Sequence, residues 1–414
     1  MTAFLPGRAR SRVSKMNRLL RIFFERSIRV GAVEVVEPSG AVHRFGDSSP
    51  SVARVRFVSP AIERAVVLNP QMKLGEAFMD GGFVVEDGSI YDFLALVLSN
   101  DDDPRPSLLA DLIARFRRLT RYVYVANNKT RARDNASHHY DLDRRLYSLF
   151  LDADLQYSCA YFETPETGLD AAQFRKKQHL AAKLLLRPGM NVLDIGCGYG
   201  GLAIYLAETY GVTVTGVTLS TEQHEVAVQR AKERGLEGKV RFLLQDYRDV
   251  TGRFDRVISV GMFEHVGQKA YPGFLEHCHD LLAADGVLVL HTVARLYGPA
   301  RTNTWVAKYI FPGGASPALS EVAPVIEQSG FVLADLEVLR LHYADTLRAW
   351  RQRFLANREA AKALYDERFC LMWEFYLAAF EASFRFDDLV VFQFQLTKGL
   401  GTAPRTRDYI YSAH

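Results

Sequence analysis

From Met16 the apolar residues Met16, Leu19, Leu20, Phe23, Phe24 and Ile28 recur at intervals of three and four, with Arg18, Arg21, Glu25 and Arg29 between them. That is the spacing of one helical face, and it predicts an amphipathic helix near the start of the chain. Short alternating stretches follow at Val33–Val36 and Val52–Phe57, with Pro38-Ser39-Gly40 as the turn of a hairpin. The run K-L-G-E-A-F-M-D-G-G over Lys73–Gly82 predicts a short helix closed by glycine, and Ser89–Leu98 resumes a helical pattern. Residues 1–100 therefore read as a small α+β domain.

Asn100-Asp101-Asp102-Asp103-Pro104-Arg105-Pro106 is charged and broken twice by proline, which marks a boundary. Residues 101–138 read as a linker containing a basic amphipathic helix over Leu108–Tyr124, then a polar, basic hinge over Ala126–His138. From residue 139 to 414 the pattern changes to strands rich in Val, Ile and Leu alternating with helices. These are Asn191–Ile195, Gly201–Tyr210, Val212–Val217, Glu222–Arg234, Val240–Leu244, Arg256–Val260 and Gly286–Thr292. The alternation predicts an α/β fold, a Rossmann-like domain whose mainly parallel sheet is covered on both faces and binds ligands at the carboxyl ends of its strands.

With 414 residues, 48% of them apolar, the chain can fill two cores. A net charge of +3 lacks the strong basic excess of a protein that coats nucleic acid. The charge is unevenly placed, however: Arg8 to Arg29 holds eight Lys or Arg residues against Glu25 alone, and an anionic lipid surface is a natural partner. Four separated cysteines without a C-x-x-C pair argue against a disulfide scaffold and a thiolate zinc site, and fit a cytoplasmic setting. No stretch reaches the roughly 18 apolar residues of a membrane span, and the basic start lacks the pattern of a signal peptide.

Val192-Leu193-Asp194-Ile195-Gly196-Cys197-Gly198-Tyr199-Gly200 ends a strand and opens a helix, as nucleotide-type cofactor sites do. The spacing is G-x-G-x-G, not the dinucleotide G-x-G-x-x-G, and Asp194 lies two residues ahead of the first glycine. Both details favour S-adenosylmethionine. The second strand ends in Val217-Thr218-Leu219-Ser220-Thr221-Glu222-Gln223 without the usual ribose-binding carboxylate, so Thr218 and Gln223 would supply the polar contacts.

Several further segments complete a pattern that resembles the cyclopropane-fatty-acid synthase family and its mycolic acid relatives. They are His139-Tyr140-Asp141, Gln156-Tyr157-Ser158-Cys159-Ala160-Tyr161, Gln245–Asp249, S-V-G-M-F-E-H-V-G over Ser259–Gly267, Leu290–Thr292 and Lys308–Pro312. Lys73–Gly82 is similar to a motif in the small amino-terminal, lipid-binding type of domain found in the phospholipid enzymes. The resemblance implies methyl transfer from S-adenosyl-L-methionine to a cis double bond of an unsaturated phospholipid in a membrane, with bound bicarbonate removing the proton that closes a cyclopropane ring. It implies that Cys159, Glu264, His291, Val293 and Tyr343 are catalytic. It further implies a cofactor site of Tyr157, Ser158, Asp194, Gly196, Gly198, Gly200, Thr218, Leu219, Gln223, Gln245, Asp246 and Tyr247. Val293 stands where isoleucine is usual, which matters little if only its main chain is used.

Alone, each residue has a plainer reading: Cys159 as an inert buried thiol, Glu264 as a cap, His291 as a core histidine. The aromatic stripe Phe369, Trp373, Tyr376, Phe380 and Phe384 has the spacing of core packing, or of the wall of an acyl tunnel. His277, Cys278 and His279 point apart on a helix, so no metal is expected. Two alternatives remain open: a fatty-acyl methyltransferase giving a methyl branch or a furan precursor, and a non-catalytic lipid-binding protein. No module for nucleic acid is present in the pattern. A homodimer presenting two cationic surfaces would gain avidity for the inner face of the membrane, where the protein would sit peripherally.

Overall fold

A computed structural model describes residues 16–100 and 143–411, and the chain divides into two units, Met1–Asp103 and Pro104–His414. Residues 8–15 of the cationic start, the expected helix Leu108–Tyr124, the stretch Ala126–His138 and the His139-Tyr140-Asp141 motif lie outside the described residues.

In the small unit the first helix, α1 (Arg18–Ser27), starts where Asn17 caps it, its side-chain oxygen accepting from Leu19 N at 2.9 Å. One face buries Leu20 and Phe24, with Phe24 stacked on Phe45 at 5.2 Å between ring centroids. A buried phenylalanine of this kind is worth about 2 kcal/mol of transfer free energy. The strands β1 (Ala32–Val36), β2 (Val42–Gly46), β3 (Ser51–Phe57) and β4 (Phe83–Asp87) form a sheet in the order β2-β1-β3-β4. Pro38-Ser39-Gly40 does turn a hairpin, but it joins β1 to β2, while β3 runs parallel to β1. The hydrophobic pattern missed β2 because only Phe45 of its five residues is buried. Between β3 and β4 lie α2 (Pro60–Leu68) and α3 (Pro70–Met79). After β4, Ser89 and Asp92 form a reciprocal capping box that starts α4 (Ile90–Ser99).

The large unit is built on seven strands: β5 (Asn191–Ile195), β6 (Thr213–Thr218), β7 (Val240–Leu244), β8 (Phe254–Val260), β9 (Leu282–Arg295), β10 (Val332–Leu339) and β11 (Leu389–Thr397). Their order is β10-β11-β9-β8-β5-β6-β7. The run from β9 to β7 is parallel, and β11 pairs antiparallel with both β9 and β10. Successive side chains of a strand point to opposite faces, and each face has its own core. Leu193, Ile195, Leu288 and Leu290 join one apolar cluster, and Val192, Ile258, Val287 and Val289 join another. Burial on both faces is why these strands read as unbroken apolar runs.

Helices Leu169–Leu184, Gly201–Tyr210, Thr221–Glu233 and Tyr271–Leu281 accompany the sheet. Between β10 and β11 the chain inserts the helices His342–Ala356, Arg358–Leu364 and Glu367–Phe386. That insertion brings Tyr343, Tyr376 and Phe380 to the site described next. No helix among the described residues is long and apolar enough to cross a membrane.

Candidate active site

β5 ends at Ile195, and the chain turns back over Gly196 to Gly200 before the helix Gly201–Tyr210 begins. Gly198 has φ +53° and an added Cβ would meet nothing within 4 Å, so its backbone is open to a ligand. Gly200 differs. At φ +78° it caps the helix, and an added Cβ would lie 2.5 Å from the Phe242 ring and 2.9 Å from Ala227 Cβ.

Above the turn lies a cavity of about 180 Å³. Tyr157, Ser158, Asp194, Gly196, Gly198, Thr218, Leu219, Gln223, Gln245, Asp246 and Tyr247 all line it. Gly200 is not among the residues that line it, and its own need for glycine is met by close packing against Phe242.

Asp194 is 2% exposed and its Oδ2 has no hydrogen-bond partner. Burial pushes its carboxyl up to about 7, against the pull of the Lys176 charge. A buried, unsatisfied acceptor in a cavity calls for a donor or a cation from a ligand. The Thr218 hydroxyl donates to Gln223 Oε1 at 3.0 Å, which leaves the Gln223 amide NH2 as the donor for a ligand hydroxyl. Asp246 is saturated from within: it caps the turn Tyr247–Asp249 and pairs with Arg248, whose Nη2 lies 2.6 Å from Oδ2. Tyr247 packs edge-on against Phe274 at 5.3 Å and forms a wall.

A second cavity, of about 90 Å³, adjoins the first through Tyr157, Ser158, Gly261 and His265, which line both. Cys159, Glu264, His291, Val293 and Tyr343, from four separate stretches of the chain, all line it. His291 and Val293 share one face of β9. Glu264 sits in the turn Phe263–His265 just after β8, where Val293 N donates to its Oε1 at 2.6 Å. Its Oε2 is buried without a partner, and burial, opposed by the Val293 N–H, pushes the carboxyl up to about 7.

Burial, reinforced by the charges of Lys176 and Lys183, holds the His291 imidazole well below its usual range, so it is neutral. Cys159, 1% exposed, donates to Ala160 O at 3.3 Å, and burial raises its thiol well above the usual range. It therefore acts as a weak donor, not as a thiolate. Tyr343 is held between Trp350 at 5.8 Å and Phe384 at 4.7 Å. The second cavity thus collects polar groups that are mostly uncharged, inside apolar walls.

Of the aromatic stripe, Tyr376 and Phe380 line this second cavity. Phe369 stacks on Tyr365, Trp373 is buried against Phe150, and Phe384 supports Tyr343. The stripe is therefore part wall and part core. Tyr376 OH lies 2.8 Å from Tyr157 OH, which ties the inserted helix to the cofactor-side loop.

His277 Nε2 bonds Tyr247 O at 2.9 Å, Cys278 is buried in the core and His279 packs on Phe331. Among the described residues no group of side chains could hold a metal ion.

Two contributors escaped the sequence reading. Lys176 is 1% exposed and donates to Ser158 Oγ at 2.8 Å and to Gln156 Oε1 at 2.6 Å, so it positions the loop that both cavities share. Burial lowers its ammonium to about 8. The second is His265, which lines both cavities and which burial holds down to about 4. Its place inside F-E-H-V-G was the available signal.

The family model for mycolic acid cyclopropane synthetase matches residues 127–394. The chain is 37% identical over 348 residues to cyclopropane-fatty-acyl-phospholipid synthase of Escherichia coli K12, covering 84% of this chain and 88% of that protein. It is 34% identical over 395 residues to tuberculostearic acid methyltransferase of Mycobacterium tuberculosis, covering 92% of this chain and 88% of that one. Among solved structures, mycolic acid cyclopropane synthase CmaA1 complexed with SAH and CTAB aligns with a TM-score of 0.62 at 34% identity. That alignment covers 64% of this chain and 98% of the other.

Proposed function

Because the chain belongs to the mycolic acid cyclopropane synthetase family, we propose that it carries a methyl from S-adenosylmethionine to a cis double bond of a phospholipid acyl chain and closes a cyclopropane ring there. The enzyme class is that of S-adenosylmethionine-dependent methyltransferases. The observation that carries the proposal is the pair of adjoining cavities. One lies over the glycine turn and the other collects Cys159, Glu264, His291, Val293 and Tyr343.

The first cavity fits the methyl donor through the unsatisfied Asp194 Oδ2, the open backbone at Gly198 and the Thr218–Gln223 pair. When bound, S-adenosylmethionine supplies a methyl group on an electrophilic sulfonium. Tyr157 and Ser158 stand on the border between donor and acceptor, and Lys176 and Tyr376 fix them. Holding both reactants in one geometry is the larger part of what such a site contributes. Tyr157, Phe311, Tyr376 and Phe380 give an apolar wall whose ring faces stabilise positive charge and keep water out.

The second cavity fits bicarbonate, a small anion with one proton and several acceptor oxygens. Glu264 Oε2 would accept a hydrogen bond from its hydroxyl, while Tyr343 and the His291 imidazole would donate to its oxygens, joined by the Cys159 S–H once it turns from Ala160 O. Bound there, bicarbonate would supply the base for the proton lost on ring closure.

The exposed part of α1 supports peripheral attachment to an anionic leaflet on the inner side of the membrane. Leu19 and Phe23 are 59% and 45% exposed, among exposed Arg18, Arg21 and Arg26. A homodimer would double that contact.

The test is incubation of the pure protein with methyl-labelled S-adenosylmethionine and vesicles of monounsaturated phospholipid, followed by mass spectrometry of the fatty acids. Label in a saturated ring supports the proposal. The likeness to tuberculostearic acid methyltransferase favours a second reading, a methyl branch, and label in an open branched or unsaturated chain would establish it. Intact cofactor binding with no lipid label would leave the lipid-binding reading.

A further inference from the structure

β9 and β11 run antiparallel with His291 opposite Gln393. Their side chains meet, Gln393 Nε2 lying 3.1 Å from His291 Nδ1. Which of the two nitrogens donates is decided one residue further away. Lys183, on the helix Leu169–Leu184, places Nζ 2.9 Å from Gln393 Oε1. An ammonium has three hydrogens and no lone pair, so the atom it meets must be the amide oxygen. This fixes the orientation of the amide. Its NH2 faces the imidazole, His291 Nδ1 must accept, and a neutral imidazole that accepts at Nδ1 carries its proton on Nε2.

Lys183 is itself anchored. It is fully buried, and Nζ lies 2.5 Å from Glu337 Oε2, which also meets His179 Nε2 at 2.5 Å. Burial alone would raise the Glu337 carboxyl, but the His179 hydrogen bond and the Lys183 charge outweigh it and bring it down to about 2. Glu337 is therefore an anion beside Lys183 Nζ across the working range. His291 is neutral for the reasons given above, so its tautomer is a defined property of the site.

We propose that Lys183 and Gln393 are positioning residues of the second cavity that set the tautomer of His291, so that its Nε2–H is a donor offered to a small anion bound there. The proposal rests on the reading of that cavity as an anion site. With the opposite tautomer His291 would present a lone pair to the anion, next to the carboxylate of Glu264, and repel what the cavity must hold. None of these groups touches the first cavity, so the relay acts on the acceptor side alone.

The test is nitrogen NMR of the full-length protein labelled with 15N in its histidine rings, with His291→Asn identifying the signal. In the wild type, His291 should show a pyridine-like Nδ1 and a pyrrole-like Nε2. In Gln393→Glu a carboxylate, which only accepts, replaces the NH2 donor, and the pattern should invert. Lys183→Met frees the amide to rotate and should average the two nitrogens. For ring formation, kcat should fall about 100-fold in Gln393→Glu while KM for S-adenosylmethionine stays within about twofold.

A wild-type His291 with its proton on Nδ1 would overturn the proposal, and so would a tautomer indifferent to both substitutions. The wild-type measurement needs no variant to fold, and binding of S-adenosylhomocysteine reports on the folding of each variant. The nitrogen pattern is read without lipid or anion. A protein that shows the expected pattern and its inversion but forms no ring would therefore refute the proposed reaction and support the relay.

Discussion

Replacing Glu264 by glutamine should make the protein more stable and the enzyme inactive, and the gain in stability should grow with pH. Glu264 Oε1 accepts from Val293 N at 2.6 Å, a bond that a glutamine oxygen keeps, while Oε2 is buried without a partner. Burial takes the carboxyl from its ordinary 4.5 to about 7. A carboxyl whose pKa is higher in the folded state binds more protons there than in the unfolded chain. Its contribution to stability is therefore whole below the unfolded value and is lost as pH rises through the folded one. At about 1.4 kcal/mol per unit this amounts to about 3 kcal/mol, reduced to about 2 by water entering the adjoining cavity. Glutamine does not titrate. The stability difference between Glu264→Gln and its parent should thus widen by about 2 kcal/mol between pH 5 and pH 8.5, or about 4–8 °C in Tm. Calorimetry on both proteins at both pH values measures it, and subtraction removes Asp194 and His265, which are common to the two. Ring formation should fall by about 100-fold or more, since an acid–base group has been removed from the reacting centre. An equal difference at both pH values, or a variant less stable than its parent at pH 8.5, would refute the account of Glu264 as a buried, under-satisfied carboxyl.

Asp194→Asn should weaken binding of S-adenosylhomocysteine by about tenfold, as calorimetric titration would show, because the unsatisfied Oδ2 is the acceptor that a ligand donor meets. Gly200→Ala should cost more stability than Gly198→Ala, about 3 against about 1 kcal/mol by denaturant unfolding. Both positions require a left-handed backbone, but only at Gly200 does the new methyl run into the Phe242 ring. Leu19→Ser with Phe23→Ser should reduce sedimentation of the protein with anionic vesicles severalfold and leave its Tm within a few degrees, since both side chains are largely exposed.

What the sequence revealed followed the strength of each local signal. β5, β7 and the helix Gly201–Tyr210 were located to the residue, because parallel strands buried on both faces read as short apolar runs and a glycine turn separates strand from helix. β10 and β11 went unread, although L-V-V-F-Q-F-Q-L-T alternates plainly. β10 lies at the edge of the sheet, and β11 follows a long helical insertion and enters antiparallel between β10 and β9, outside the β-α rhythm that organised the rest. The members of the second cavity carry no local signal that joins them, and only a resemblance spread along the chain assembled Cys159, Glu264, His291, Val293 and Tyr343 into one list. Gly200 entered the cofactor list by its spacing, and close packing against Phe242 gives a second reason for glycine there.

Lys176 and Lys183 mark where sequence reasoning runs out. They stand on the helix L-D-A-A-Q-F-R-K-K-Q-H-L-A-A-K-L, and lysine is seldom fully buried without a partner. Both are buried, and the partners lie far off in sequence: Gln156 and Ser158 for Lys176, Glu337 and Gln393 for Lys183. Buried charge is costly unless it is satisfied in full, so a fold that keeps two such lysines under its sheet gains something other than stability from them. One holds the loop that both cavities share, and the other holds the amide that faces His291. A helix that the sequence pattern did not single out thereby supports both cavities.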